Sequence, residues 1–269
     1  MKTTLPASAA TALTSGLPAT AGSAATGDRE YYELRAYRVK TAAARAALDG
    51  YLEKAFLPAL EKRGVRQVGV FTELDINRET ATSSPKADTP VWVLIPHASF
   101  TSFVAVSAEL NKDPAVQQAA RDYLTLPKES PAFDRIDSWL LLAFMGLPQM
   151  QVPEFSRNRV ATRLFEMRSY ESYSELKALA KMAMFDDGEI GVMQAAGMNP
   201  LFYGQALAGR DLPHLTYITG AEDLKTHLGN WKKFIAHPDW VKMKELPQYA
   251  DTVSKNTPRF LAPTSYSQI

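Results

Sequence analysis

Tyr32-Glu33-Leu34-Arg35-Ala36-Tyr37 and Phe165-Glu166-Met167-Arg168-Ser169-Tyr170 repeat one pattern 133 residues apart, about half of a 269-residue chain. That spacing marks a duplicated unit. In both stretches Glu, Arg and Tyr occupy alternate positions. A β-strand sends alternate side chains to opposite faces, so each stretch reads as a strand with a polar stripe on one face and an apolar one on the other.

Working outward from the first copy, Thr41 to Arg63 reads as a helix, with Leu48, Leu52, Phe56 and Leu60 at i, i+4 spacing. Pro58 removes a donor inside that run, which predicts a kink or restart near Phe56. Gly64 is placed to end the helix. Val65 to Leu74 reads as a second strand, and the polar stretch 77–89 as a hairpin excursion. Val91-Trp92-Val93-Leu94-Ile95 reads as a third strand buried on both faces. Helical spacing follows from Ser99, Asp113-Pro114 opens a further short helix, and Ser138 to Phe144 closes the unit as a fourth strand.

The second copy keeps this order. Leu164 to Tyr170 leads into Ser172-Tyr173-Ser174-Glu175, read as a capping box. Its helix carries Leu176, Leu179, Ala180 and Ala183, is interrupted at Gly188, and ends at Gly197, which lies 133 residues after Gly64. Strands are expected at Met198 to Leu207, Leu215 to Thr219 and Pro258 to Tyr266. His237-Pro238 echoes Asp113-Pro114, with His237 expected to cap a helix. The order β-α-β-β-α-β, met twice, is the ferredoxin-like split βαβ plan. The fold class expected is therefore α+β: two tandem ferredoxin-like repeats whose antiparallel sheets pack as a pseudo-dimeric α+β barrel. The expected divisions are a signal-like or disordered segment at 1–27, a first repeat at 28–147, a linker at 148–158 and a second repeat at 159–269.

The Tyr-Glu-Leu-Arg-x-Tyr strand, the helix ending at Gly64, the aromatic-rich third strand and the Asp-Pro or His-Pro turn together resemble the NIPSNAP family, in two tandem copies from Tyr31 onward. The resemblance implies the dimeric α+β barrel fold group and a cavity between the sheets. Gly188 and Pro200 are where the second copy departs from the pattern.

Lys and Arg number 30 against 29 Asp and Glu, so the formal charge is +1 and nothing in the composition calls for nucleic acid or an anionic membrane as partner. No apolar run of about 18 residues marks a membrane span. Cysteine is absent, which removes disulfides, thiolate nucleophiles and Cys-based metal sites. In residues 1–27, Lys2, a diluted apolar stretch and Ala19-Thr20-Ala21 resemble a secretory signal. Acting as one, they would place the protein in the periplasm or outside the cell; as a simple tail they would leave it in the cytoplasm.

The residues put forward for ligand binding are Glu33, Arg35, Tyr37, Glu166, Arg168 and Tyr170, joined by His214 and Tyr217 on or beside the third strand of the second repeat. With Leu34 and Met167 taken to face the helices, the two triplets face the space between the sheets. There Arg can fork onto a carboxylate or enolate and Tyr can donate a hydrogen bond. The competing role for the triplets is a cross-strand salt bridge that fixes register. His97 and His214, at equivalent strand ends, form the one histidine pair with a metal or haem role open to it. Haem occurs among α+β barrel relatives, but no H-x-x-x-H or H-E-x-x-H spacing is present, and the expectation is no cofactor and no metal. Asp186-Asp187-x-Glu189 lacks calcium-loop spacing and reads as a solvated break between helical pieces. The leading functional expectation is a NIPSNAP-like protein holding a small apolar or carboxylated ligand between its sheets. The alternatives are a cofactor-free oxygenase or isomerase of the α+β barrel type, and a self-assembling or protein-interaction scaffold. The chain is expected either as a monomer with an internal pseudo-dimer or as a homo-oligomer.

Overall fold

The structure, a computed structural model, describes residues 29–269, so the reading of residues 1–27 falls outside the described residues. Tyr31–Arg38 forms β1 and Leu164–Glu171 forms β6, as their alternation requires. The remaining strands are β2 (Gly69–Asn77), β3 (Thr82–Pro85), β4 (Val91–His97), β5 (Arg135–Ala143), β7 (Asn199–Ala208), β8 (His214–Ala221) and β9 (Lys255–Pro263). Among the described residues these strands form one antiparallel sheet in the order β3-β2-β4-β1-β5-β7-β8-β6-β9. Pairing of β2 with β9 closes every strand except β3 into a barrel. The halves are thus hydrogen-bonded edge to edge twice, through β5–β7 and β2–β9. A closed ring leaves no free edge to be blunted.

The duplication extends to backbone detail. The first helix of each half starts at Ala42 or Glu175, behind Thr41 or Ser174 as the capping side chain. Both helices pass through a π turn, Leu52–Phe56 and Phe185–Glu189, and resume at Leu57 and Ile190. Each of these pairs keeps the 133-residue spacing. Pro58 sits at the restart, where its missing N–H is tolerated; Gly188, at φ 155°, shapes the second π turn. Gly64 and Gly197 close the helices at φ 78° and 87°, a conformation in which glycine meets no Cβ penalty. The cap of the second helix is Ser174, not the Ser172 of the expected box, because Ser172 Oγ donates instead to the Thr252 carbonyl. His237 does cap its helix, accepting from the Asp239 amide. β2 begins at Gly69 rather than Val65, since the chain first turns through Gln67 at φ 59°.

One core lies inside the barrel. It takes Leu34 and Ala36 from β1, Trp92 from β4, Trp139 from β5, Met167 from β6, Ile218 from β8 and their neighbours on the other strands. Two further large cores lie outside the barrel under the helices, one for each half, and a smaller cluster gathers Leu164, Leu224 and Phe260. Residues 148–158 do more than join the repeats. Met150, Val152 and Phe155 enter the interior core, and the Met150 amide donates to Glu30. With Ile269 against Gly69, they stop the barrel at the end where β1 begins. The opposite end is open.

This arrangement reverses the expected orientation of the duplicated stripes. Leu34 and Met167 point into the barrel, and Tyr37 and Tyr170 belong to the cores under the helices. Glu33, Arg35, Glu166 and Arg168 share that outer face by alternation. Both faces of these strands are buried, so polarity did not distinguish inside from outside.

Candidate functional site

In the first half, Arg35 Nε and Nη2 donate to Glu33 at 2.6 and 2.8 Å, Ser138 adds a third donor at 2.9 Å, and Arg35 Nη1 reaches the Tyr37 hydroxyl at 3.3 Å. Phe56, from the π turn, lies 5.2 Å from the guanidinium carbon. His97 is fully buried 4.0 Å from Glu33 with its Nε2 unpartnered, and burial lowers its pKa from 6.5 to about 4. In the second half, Glu166 accepts from Arg168 at 2.8 Å, His227 at 2.7 Å and Trp231 at 2.6 Å. Arg168 lies 4.0 Å from the Trp231 ring centre and also donates to Tyr170, whose hydroxyl meets that of Tyr217 at 2.9 Å. Burial pushes the Glu166 pKa upward, but the bonds from His227 and Arg168 outweigh it and the net shift is downward. Apart from His97 Nε2, the groups in these networks satisfy one another, the form in which buried charge is tolerated. None of the six triplet residues, nor Tyr217, lines the cavity at the open end of the barrel.

His214 does. The barrel mouth encloses about 310 Å³. Leu34, Ala36, Trp92 and Trp139 form its apolar wall, and four cations (Arg38, Arg210, Lys255 and Arg259) face four carboxylates (Glu73, Asp137, Glu171 and Asp211). Each comes from the inward-facing positions of a strand end or from the loop after β7, so only barrel closure assembles them. Trp92 and Trp139 stack with ring centres 5.9 Å apart. Trp92 Nε1 donates to Glu73 at 3.0 Å and Trp139 Nε1 to the Arg210 carbonyl at 3.2 Å, which fixes both rings. Arg259 lies over Trp92 at 5.1 Å and Arg210 over Trp139 at 5.9 Å, within cation–π range.

The four cations are not equally committed. Arg38 holds Asp137 at 2.7 Å and Lys255 holds Glu171 at 2.7 Å. Arg210 and Arg259 stand 3.5 and 3.6 Å from Asp137 and Glu73, ion-pair contacts without a short hydrogen bond. Burial lowers the Arg259 pKa, opposed in part by the charges of Glu73, Asp211 and Glu171. Beside them His214 is buried. Its Nδ1 contacts Thr216 Oγ1 at 3.3 Å, which meets Ser169 Oγ at 2.9 Å, while Nε2 has no partner. Burial lowers its pKa, so the ring is neutral near pH 7.

His97 and His214 face opposite sides of the sheet and cannot share a metal or haem iron. Among the described residues no group of three or more His, Asp or Glu side chains is placed to hold a metal ion. The Asp186-Asp187-x-Glu189 segment is divided among separate partners: Gly146 for Asp186, Tyr249 for Asp187 and Lys181 for Glu189. No helix among the described residues is long and apolar enough to cross a membrane. Sequence reasoning missed Trp92, Trp139, Arg210 and Arg259 as a site, because single residues from four segments carry no motif. It also missed His227, whose position on the same helical side as Leu224 and Trp231 was a usable signal.

Residues 165–268 match the NIPSNAP family model. No curated protein sequence matches the chain. Among solved structures, a candidate monooxygenase from Lactobacillus acidophilus superposes over 87% of this chain and 94% of its own, with 6% identity and a TM-score of 0.54. A candidate monooxygenase from Fusobacterium nucleatum covers 87% and 92%, with 10% identity and a TM-score of 0.52. At such identity the likeness establishes the α+β barrel fold alone. An uncharacterized NIPSNAP-like domain protein from Burkholderia xenovorans aligns with 39% of this chain and 89% of its own, at 20% identity and a TM-score of 0.36.

Proposed function

We propose that this chain, which carries a NIPSNAP domain in its second half, binds a small organic carboxylate with a planar or apolar body in the mouth of its barrel. The observation that carries this reading is the pair of under-committed arginines, Arg210 and Arg259, each set over one ring of the Trp92–Trp139 stack. An anion between them gains charge-assisted hydrogen bonds, and its body gains an aromatic wall in a cavity of small-ligand size. The test is calorimetric titration with 2-naphthoate. The wild type is expected to bind saturably, and Arg259→Met, which keeps a side chain over Trp92, to bind roughly tenfold or more weakly, as loss of a hydrogen bond to a charged group implies. Equal binding by the two proteins, or none by the wild type, overturns the reading.

One observation favours a second reading, an isomerase- or oxygenase-type role without a cofactor. A neutral histidine with a free nitrogen, backed by the Thr216 and Ser169 hydroxyls, lines the same cavity and suits removal of a proton from an acidified carbon. Exchange of the α-deuterons of a deuterated β-keto carboxylate into water, lost in His214→Gln while 2-naphthoate still binds, supports it. No exchange above the uncatalysed rate sinks it.

A further inference from the structure

Beside the barrel mouth runs a second depression of about 340 Å³, between the first helix of the second half and the loop ahead of β8. Ala178, Leu179, Met182, Ala206 and Leu212 supply its apolar lining, and His214 is a wall common to it and to the mouth. Leu179 is 54% exposed and Leu212 47%, both large apolar side chains left open to water at the groove. The first half has a depression beside its own first helix, at Ala43, Ala44, Ala47, Leu126 and Phe133, but not at the equivalent positions. At the spacing of 133, Ala178, Leu179 and Met182 correspond to Arg45, Ala46 and Asp49, where Arg45 and Asp49 form an ion pair at 2.8 Å and Tyr266 caps Asp49. The apolar groove is therefore a property of the half whose loop, through Arg210 and Asp211, also furnishes the mouth.

Building on the reading of the mouth as a carboxylate site, we infer that the ligand is an amphiphile: its anionic head lies at Arg210 and Arg259, and its alkyl chain crosses the 210–214 loop into the groove at Leu179 and Leu212. The chain passes from Arg210 to Leu212 in two residues, so head and tail subsites adjoin. The junction is His214, a lining residue of both cavities. Burying alkyl chain against these residues strengthens binding about fourfold per methylene fully removed from water.

The experiment is a titration of the full chain with butanoate, octanoate, dodecanoate and 2-naphthoate, below micellar concentrations, for the wild type, Leu179→Glu and Leu212→Glu. Dodecanoate is expected to bind the wild type at least tenfold more tightly than butanoate. Each substitution, at an exposed position that leaves the fold intact, is expected to remove most of that gain without altering 2-naphthoate binding. Affinity independent of chain length, with 2-naphthoate bound as proposed, overturns this inference and leaves the carboxylate site standing. Failure of every ligand, 2-naphthoate included, removes both. A concentration-dependent dimer of the wild type in light scattering, abolished by Leu179→Glu, would assign the groove to a second copy of the chain and overturn the inference too.

Discussion

Lys181 Nζ, on the first helix of the second half, lies 2.6 Å from Glu189 Oε2 in the π turn that follows, with the two residues only 5% and 2% exposed. Their counterparts 133 residues earlier are Leu48 and Phe56, both in the buried core of the first half. One fold thus carries an apolar pair and an ion pair at equivalent places. The lysine is further surrounded by Phe185 at 4.7 Å, Trp240 at 5.5 Å and Tyr170 at 5.6 Å. Removing one partner strands the other charge, which costs about 3–5 kcal/mol, whereas replacing both by packed apolar groups is neutral or stabilising by about 1–4 kcal/mol. Lys181→Leu alone is therefore expected to lower unfolding stability in urea by about that first amount. The double variant Lys181→Leu/Glu189→Phe is expected to recover it. Loss in the double variant as large as in the single one would show that the ion pair contributes more than it costs.

His97 gives a pH dependence of known sign. Its pKa falls from 6.5 to about 4 in the native state because burial disfavours the cation, opposed only in part by Glu33 and with Arg35 adding to the fall. Between those values the unfolded chain binds a proton that the native chain refuses, so stability is full above pH 6.5 and declines as pH drops toward 4. The contribution is about 3 kcal/mol. Denaturant midpoints measured from pH 7.5 to 4.5 are expected to fall less steeply for His97→Gln than for the wild type. Parallel curves would mean that His97 titrates normally.

Glu166 is the hub of the second-half network, with three donors on its two oxygens. Glu166→Gln keeps the shape but loses the charge facing Arg168, and about 3 kcal/mol or more of stability is expected to go with it. Trp231 fluorescence is expected to change as well, because its indole loses a carboxylate acceptor. An unchanged emission spectrum together with unchanged stability would contradict the network.

Gly209 sits at φ 130°, and a Cβ there would lie 2.4 Å from the Trp139 ring. Gly209→Ala is expected to cost about 1–3 kcal/mol in backbone strain. It should also displace Trp139, weakening 2-naphthoate binding while leaving the second-half core, read through Trp231, undisturbed. Binding at wild-type strength would detach Trp139 from the site.

The 133-residue spacing of Glu33 and Glu166, of Gly64 and Gly197 and of the helix starts was enough to read a doubled ferredoxin-like unit from the chain alone. The side on which each stripe lies was not readable. Period-two alternation identifies two faces, and normally the apolar one is the buried one. In a barrel coated by helices both are buried: Glu33 is 4% exposed and its neighbour Leu34 3%. The outer layer accepts the charged stripe because Ser138 in one half, and His227 and Trp231 in the other, arrive to satisfy it. The mouth was invisible for a different reason. Arg259 and Trp92 are 167 positions apart and meet only through ring closure.

That closure depends on two seams, β5 with β7 and β2 with β9, and neither joins strands of the same half. A polypeptide ending near residue 150 would present two raw sheet borders and so would the remainder, each matching the other. Cut in the 148–158 crossing and produced as separate pieces, the molecule should reassemble without a covalent tie, which makes it a ready two-part complementation system whose signal reports the seams themselves.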